Sequence, residues 1–178
     1  MTSGGVFSPE HLDQGTAVLL AWLDREPEDP ARSGPILDLG CGWGPIALRA
    51  ALAHPDRDVW AVDRNERARE LTAENAARLG LERVLVAAPD DVPEELTFAA
   101  IHSNPPIRIG KAALHDLLRR WLPRVAPGGR AALVVAKHLG AESLQRWIAA
   151  EFPDFDVARA ARDRGFHVLT ATRPDIAR

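Results

Sequence analysis

The chain has few of the features that mark a secreted, membrane-spanning or metal-binding protein. It carries one cysteine, Cys41. No internal disulfide is available, and a reducing, cytoplasmic setting is expected. No apolar run approaches the ~18 residues that a membrane helix needs. The opening Met1-Thr2-Ser3-Gly4-Gly5 lacks the charged stretch and apolar core of a signal peptide. His11, His138 and His167 have no metal-ligand spacing to Cys or Asp, so no metal site is expected. Internal repeats and low-complexity tracts are also missing. A uniformly basic surface is excluded by the net charge of −3, but the charge is uneven. Residues 1–100 hold 9 Arg and Lys against 18 Asp and Glu, while residues 101–178 hold 13 against 7. Such asymmetry can mark an anionic partner on one face.

What remains is an ordinary globular composition of 46% hydrophobic and 26% charged residues, in a length suited to one domain over 1–178. Residues 11–24 read as a helix with Leu12, Val18, Leu19, Trp22 and Leu23 on one face. The acidic, proline-containing stretch 24–34 is a loop that closes an N-terminal segment, 1–34. From Pro35 onward, short apolar runs alternate with amphipathic helices. Strands are predicted at 36–39, 59–62, 84–87, 98–102, 131–136, about 155–160 and 166–172. Helices are predicted at 45–53, 65–79, 111–122 and 142–150. Pro127-Gly128-Gly129 reads as a turn, and Asp163-Arg164-Gly165 as a hairpin signal. The predicted fold class is α/β: a Rossmann-like, doubly wound, seven-stranded, mostly parallel sheet with a C-terminal antiparallel hairpin strand. Such sheets bind ligands beyond the C-terminal ends of their strands.

Three motifs fall at those ends. Asp38-Leu39-Gly40-Cys41-Gly42-Trp43-Gly44-Pro45 runs from the first strand into a helix. Glycines there permit a tight turn and close approach of a ligand to the backbone, and the helix offers its N-terminal N–H groups. A dinucleotide fingerprint would place its third glycine where Pro45 stands, so a ligand without a pyrophosphate is expected. The second strand ends at Asp63, whose carboxylate can accept both hydroxyls of a ribose. After the third strand, Asp90 or Asp91 can reach an adenine amine. The fourth strand runs into Ser103-Asn104-Pro105-Pro106, where the prolines remove two N–H donors and stiffen the chain. That segment offers carbonyls and one side-chain amide, which suits a planar amino group.

Together Asp38-x-Gly40-x-Gly42-x-Gly44, Asp63 and Asn104-Pro105-Pro106 resemble the class I S-adenosylmethionine-dependent methyltransferases. More narrowly, the chain resembles the small-subunit ribosomal RNA guanine-N2 methyltransferases. The resemblance rests on Gly5-Val6-Phe7-Ser8, Leu12-Asp13-x-Gly15-Thr16 with Leu19-Leu20, Asn104-Pro105-Pro106-Ile107-Arg108-x-Gly110-Lys111, the stretch from Lys137-His138 to Ser143-Leu144, and Gly165-Phe166-x-Val168-Leu169. It implies S-adenosylmethionine as cofactor, with Asp38, Gly40, Cys41, Gly42, Gly44, Asp63, Asp90, Asn104 and Thr16 around it. Catalysis is expected at Asn104, Pro105 and Pro106, and substrate contact at Phe7, Ile107, Arg108, Lys111 and Lys137. The resemblance also implies that the N-terminal segment folds over the cofactor and brings Phe7, Asp13 and Thr16 to the site. The implied partner is RNA, bound by a monomer or homodimer. The chain departs from the family in lacking the extra N-terminal domain of longer members, and in placing Ile107 where many amine methyltransferases have an aromatic residue.

The chemistry expected is transfer of a methyl group to an exocyclic amine, most simply guanine N2 of small-subunit ribosomal RNA. The same motif also serves methylation of protein glutamine or DNA adenine. An inactive cofactor-binding RNA-assembly module is the alternative from another class. Cys41 reads as a small buried residue, His102 as packed away from the motif, and Trp22, Trp60, Trp121 and Trp147 as core.

Overall fold

The computed structural model describes residues 12–26, 33–106 and 110–175. Its centre is a seven-stranded sheet in the order β3-β2-β1-β4-β5-β7-β6. The strands are β1 (Ile36–Leu39), β2 (Val59–Val62), β3 (Val84–Ala87), β4 (Phe98–Ser103), β5 (Val125–Ala136), β6 (Asp156–Asp163) and β7 (Phe166–Thr172). Strands β1 to β5 pair in parallel, and β7 alone runs against both of its neighbours, β5 and β6. Strand β6 therefore points the same way as β5. The C-terminal ends of β1, β2, β4, β5 and β6 all lie at one edge of the sheet.

The helices follow from their end signals and their apolar faces. Pro45 starts α2 (Pro45–Ala53), where its missing N–H is harmless. Asn65 caps α3 (Glu66–Arg78) by accepting the Arg67 N–H at 2.9 Å. On one face of the sheet, Val18, Leu19, Trp22 and Leu23 of α1 (Gln14–Leu23) pack on Ala132, Val134 and Val168. On the other, α4 (Lys111–Trp121) and α5 (Ala141–Glu151) supply Leu114, Leu118, Trp121, Leu144 and Ile148 against Leu133, Val135 and Leu169. Leu19 and Leu23 are fully buried, each worth roughly 1.5–3 kcal/mol of hydrophobic stabilisation.

Two boundaries depart from the sequence expectation. Helix α1 starts at Gln14, because Asp13 keeps an extended ψ of 139° and accepts the Thr16 N–H as its cap. Strand β5 starts at Val125, not 131. The stretch read as a turn is drawn into the sheet by two backbone bonds, from Gly128 N–H to the Arg173 carbonyl and from Arg173 N–H to the Gly129 carbonyl. His102 is buried as expected, and so are Trp22 and Trp121; Trp60 and Trp147 are half-buried.

Candidate active site

The glycine loop between β1 and α2 is shaped by side chains reaching in from two sides, the end of β2 and α3. Asp63, at the end of β2, accepts the Gly42 N–H at 3.0 Å with Oδ2 and the Asn65 N–H at 2.9 Å with Oδ1. From α3, Thr72 Oγ1 donates to the Gly42 carbonyl at 3.0 Å, and Asn75 Nδ2 donates to the Trp43 carbonyl at 3.0 Å. Gly44 has φ 96°, and a Cβ there would meet Thr72 Cγ2 at 2.9 Å. Gly40 differs: at φ 79° it faces open space, with nothing within 4 Å of where a Cβ would stand. The loop thus has a locked underside and one bare stretch of backbone on top.

Asp38 lies beneath it, 1% exposed. Its Oδ2 accepts the Ala47 N–H at 2.9 Å, while Oδ1 finds no donor among the described residues. Burial pushes this carboxyl up to about 7; the Ala47 N–H opposes the shift and the charge of Asp63 adds to it. An unsatisfied buried carboxylate oxygen is unfavourable unless a donor arrives. An ammonium is the donor that would satisfy it and hold it ionised. The bare Gly40 backbone, the orphaned Asp38 oxygen and the oriented Asp63 carboxylate fit the amino acid and ribose parts of S-adenosylmethionine. Cys41 is buried, with its thiol raised by desolvation and by Asp38, and can face a ligand only through its backbone.

The acceptor motif lies one strand away. Ser103 Oγ donates to the Leu39 carbonyl at 2.6 Å, a buried bond joining the ends of β4 and β1. Asn104 Nδ2 then donates twice, to Asp13 Oδ2 at 2.7 Å and to Thr16 Oγ1 at 3.0 Å. Both amide hydrogens are thereby committed, and the carbonyl Oδ1 is the end left to accept. Asp13 has two roles, capping α1 and gripping Asn104. Thr16, expected beside the cofactor, has its hydroxyl on Asn104. Gly15 is bare because a Cβ would stand 3.0 Å from Phe166 and 3.1 Å from Asp13.

Other expected residues lie further out. Asp90 is exposed on a short 3-10 turn, its carboxylate paired with Arg120 of α4 at 2.7 Å. Lys111 opens α4 and Lys137 follows β5; both are exposed at the site edge of the sheet. Pro105 is buried and Pro106 exposed. Phe7, Ile107 and Arg108 lie outside the described residues. No cluster of metal-ligating side chains occurs among the described residues. Thr72 and Asn75, which hold the glycine loop, belong to no sequence motif. Their only signal is two polar residues, three apart, on the buried face of α3.

Residues 1–170 match the Methyltransferase small domain family. The chain belongs to that family. It is an S-adenosylmethionine-dependent methyltransferase, and three kinds of relative accompany it. Uncharacterized protein YbxB of Bacillus subtilis is 34% identical over 175 residues, covering 97% of this chain and 84% of that one. Ribosomal RNA small subunit methyltransferase C of Shewanella amazonensis is 33% identical over 139 residues, covering 76% of this chain and 39% of that one. The T. thermophilus 16S rRNA N2 G1207 methyltransferase, solved with AdoMet and guanosine, superposes with a TM-score of 0.76 at 25% identity, covering 95% of this chain and 45% of that one. Ribosomal protein L11 methyltransferase of Stenotrophomonas maltophilia is 37% identical over 161 residues, covering 89% of this chain and 49% of that one. This chain thus spans two fifths to one half of the ribosomal RNA and L11 methyltransferases, and most of YbxB. No helix among the described residues is long and apolar enough to cross a membrane.

Proposed function

We propose that this methyltransferase transfers a methyl group from S-adenosylmethionine to an exocyclic amine of RNA, guanine N2 of small-subunit ribosomal RNA. The observation that carries the amine is the orientation of Asn104. With both amide hydrogens held by Asp13 and Thr16, its Oδ1 is presented as an acceptor beside the Pro105 carbonyl. A pair of acceptors, with no competing N–H from either proline, matches the two hydrogens of a planar amine. The RNA assignment draws on the guanine-N2 relative and on the basic C-terminal half.

S-adenosylmethionine supplies an electrophilic methyl on a sulfonium. The chain's own residues then do two things. Asp38, Gly40, Gly42 and Asp63 hold the cofactor in one place. Asn104 and Pro105 accept the amine hydrogens, turn the nitrogen lone pair toward the methyl, and bond more strongly as positive charge grows on nitrogen. Asp13 reinforces Asn104, because a carboxylate accepting from the amide N–H draws negative charge onto Oδ1. No strong general base is required, since a nitrogen that gains a fourth bond sheds its proton readily. The target base is unpaired or flipped, because in a duplex pairing takes one amine hydrogen and stacking covers the ring faces from which the lone pair would meet the methyl.

Parallel incubation with labelled S-adenosylmethionine and isolated small subunits, naked ribosomal RNA, DNA, release factor and ribosomal protein L11 tests the reading. Label is expected on RNA, in N2-methylguanosine. The L11 methyltransferase relative favours a second reading, in which the amine belongs to a ribosomal protein. Label on protein alone would select it.

A further inference from the structure

The site edge of the sheet extends beyond the acceptor motif. Strand order continues from β4 through β5 and β7 to β6, and β6, parallel to β5, ends at that same edge. The turn joining β6 to β7 is therefore a rim of the active-site face. It is cationic. Arg162 and Arg164 are exposed, with Lys137 alongside, whose N–H donates to the Gly165 carbonyl at 2.8 Å. Arg159 lies behind them. Among the described residues only two carboxylates answer these four charges: Glu142, 3.6 Å from Arg159, and Asp163, 3.7 Å from Arg164. Arg162 and Lys137 make no ion pair among the described residues. By contrast, Arg49, Arg67, Arg83, Arg119 and Arg120 elsewhere each hold a carboxylate at 3.0 Å or closer.

One further detail runs against fold stability and favours a ligand. Arg164 sits at φ 47°, the one non-glycine residue with positive φ among those described. A two-residue hairpin turn normally gives that position to Asn, Asp or Gly. An arginine there sacrifices backbone comfort to put a guanidinium at the tip. Beneath the cluster, His167 pairs in register with Arg162 and is 3% exposed. Its Nδ1 has no hydrogen-bond partner among the described residues. Burial, then Arg159 and Arg162, lower its pKa, so the ring remains neutral and adds no charge to the patch.

We propose that the β6–β7 hairpin, with Arg162 and Arg164 at its tip and Lys137 beside it, grips the phosphodiester backbone of the RNA flanking the target base. The inference rests on the RNA reading above. It places the anchor a few nucleotides from the base held at Asn104. These contacts position the strand without reading its sequence.

Filter binding of the full chain to naked small-subunit ribosomal RNA, over a series of salt concentrations, tests the proposal. The variant is Arg162→Ser with Arg164→Asn, the asparagine being well suited to positive φ. RNA affinity is expected to fall on the order of tenfold at low salt. The slope of log K against log salt should flatten by about one for each phosphate that the variant no longer neutralises. S-adenosylmethionine affinity should hold, the thermal midpoint should hold or rise because asparagine relieves the positive φ at 164, and Arg78→Ser on the exposed side of α3 should change nothing. If the native chain methylates RNA but the double variant binds it with unaltered affinity and slope, the hairpin proposal alone is overturned. If the native chain neither binds nor methylates RNA, the RNA reading fails, and this proposal fails with it. Polyglutamate binding as tightly as RNA would overturn the proposal in favour of an acidic protein partner.

Discussion

The two sides of the site are built on opposite principles. On the cofactor side, charge is negative and nearly every polar group is tied down. Asp63 accepts two backbone N–H groups, Thr72 and Asn75 hold the loop from α3, and Asp38 is enclosed with one oxygen unsatisfied. On the acceptor side, charge is positive and much of it is unpaired. Beyond Asn104 the groups that face outward are Lys111, Lys137, Arg162 and Arg164, all exposed. A fixed small molecule calls for a preorganised socket. A long flexible polyanion calls for charges that can adjust to it. Asn104 stands between the two regimes, rigidly held on its N–H side and open on its carbonyl side.

Four substitutions probe that division, in descending order of effect. Asn104→Ala removes the acceptor and should lower kcat by about 10²–10³, the usual loss of a charge-stabilising contact. Calorimetry should find cofactor affinity nearly intact; retention of full activity would sink the amine mechanism. Asp63→Ala should reverse the pattern, weakening S-adenosylmethionine binding by about 100-fold or more. It deletes the proposed ribose acceptor and leaves the part-buried Gly42 N–H without a partner, at roughly 1–3 kcal/mol, while the exposed Asn65 N–H can turn to water. Asp13→Asn keeps a capping side chain but removes the charge behind the Asn104 amide. On the order of a tenfold drop in kcat with KM little changed is expected, whereas a purely structural role would lower the thermal midpoint instead.

The fourth substitution concerns Asp38, has the smallest expected effect on turnover, and is visible in stability without any ligand. Its folded-state carboxyl titrates near 7, against about 4 in an unfolded chain. The folded form therefore holds a proton that the unfolded form releases, and this contribution to stability falls as pH rises from about 4 to about 7, then levels off. Asp38→Asn should flatten that decline, gaining more over the native chain at pH 8 than at pH 5 in thermal melts. The same variant should bind S-adenosylmethionine more weakly.

Much of this division is legible in the sequence, because local rules decide it. Buried parallel strands read as short apolar runs, Pro45 and Asn65 mark helix starts, and Asp63 falls at a strand end by simple count. What escapes is long-range. The bonds from Asn104 to Asp13 and Thr16 join residues 91 and 88 positions apart, and only the docking of α1 on β5 and β7 brings them together. Asp90 or Asp91 reads as able to reach an adenine, and the ion pair that α4 brings to Asp90 through Arg120 has no local signal. Pro127-Gly128-Gly129 has the composition of a turn, and its pairing with Arg173 depends on a segment that arrives 44 residues later.

The buried bond between Ser103 Oγ and the Leu39 carbonyl has a consequence for evolution. With the β1–β4 ladder it holds the glycine loop and the Asn104 motif at one strand spacing, about 4.8 Å, and under the function proposed above the sheet itself is the gauge for methyl transfer. On that reading, reach and alignment are constants of the scaffold, indifferent to which molecule carries the methyl-accepting group. The rim can be rewritten for a new target while the gauge stays unchanged, which makes address and reaction separable inheritances within a single small chain.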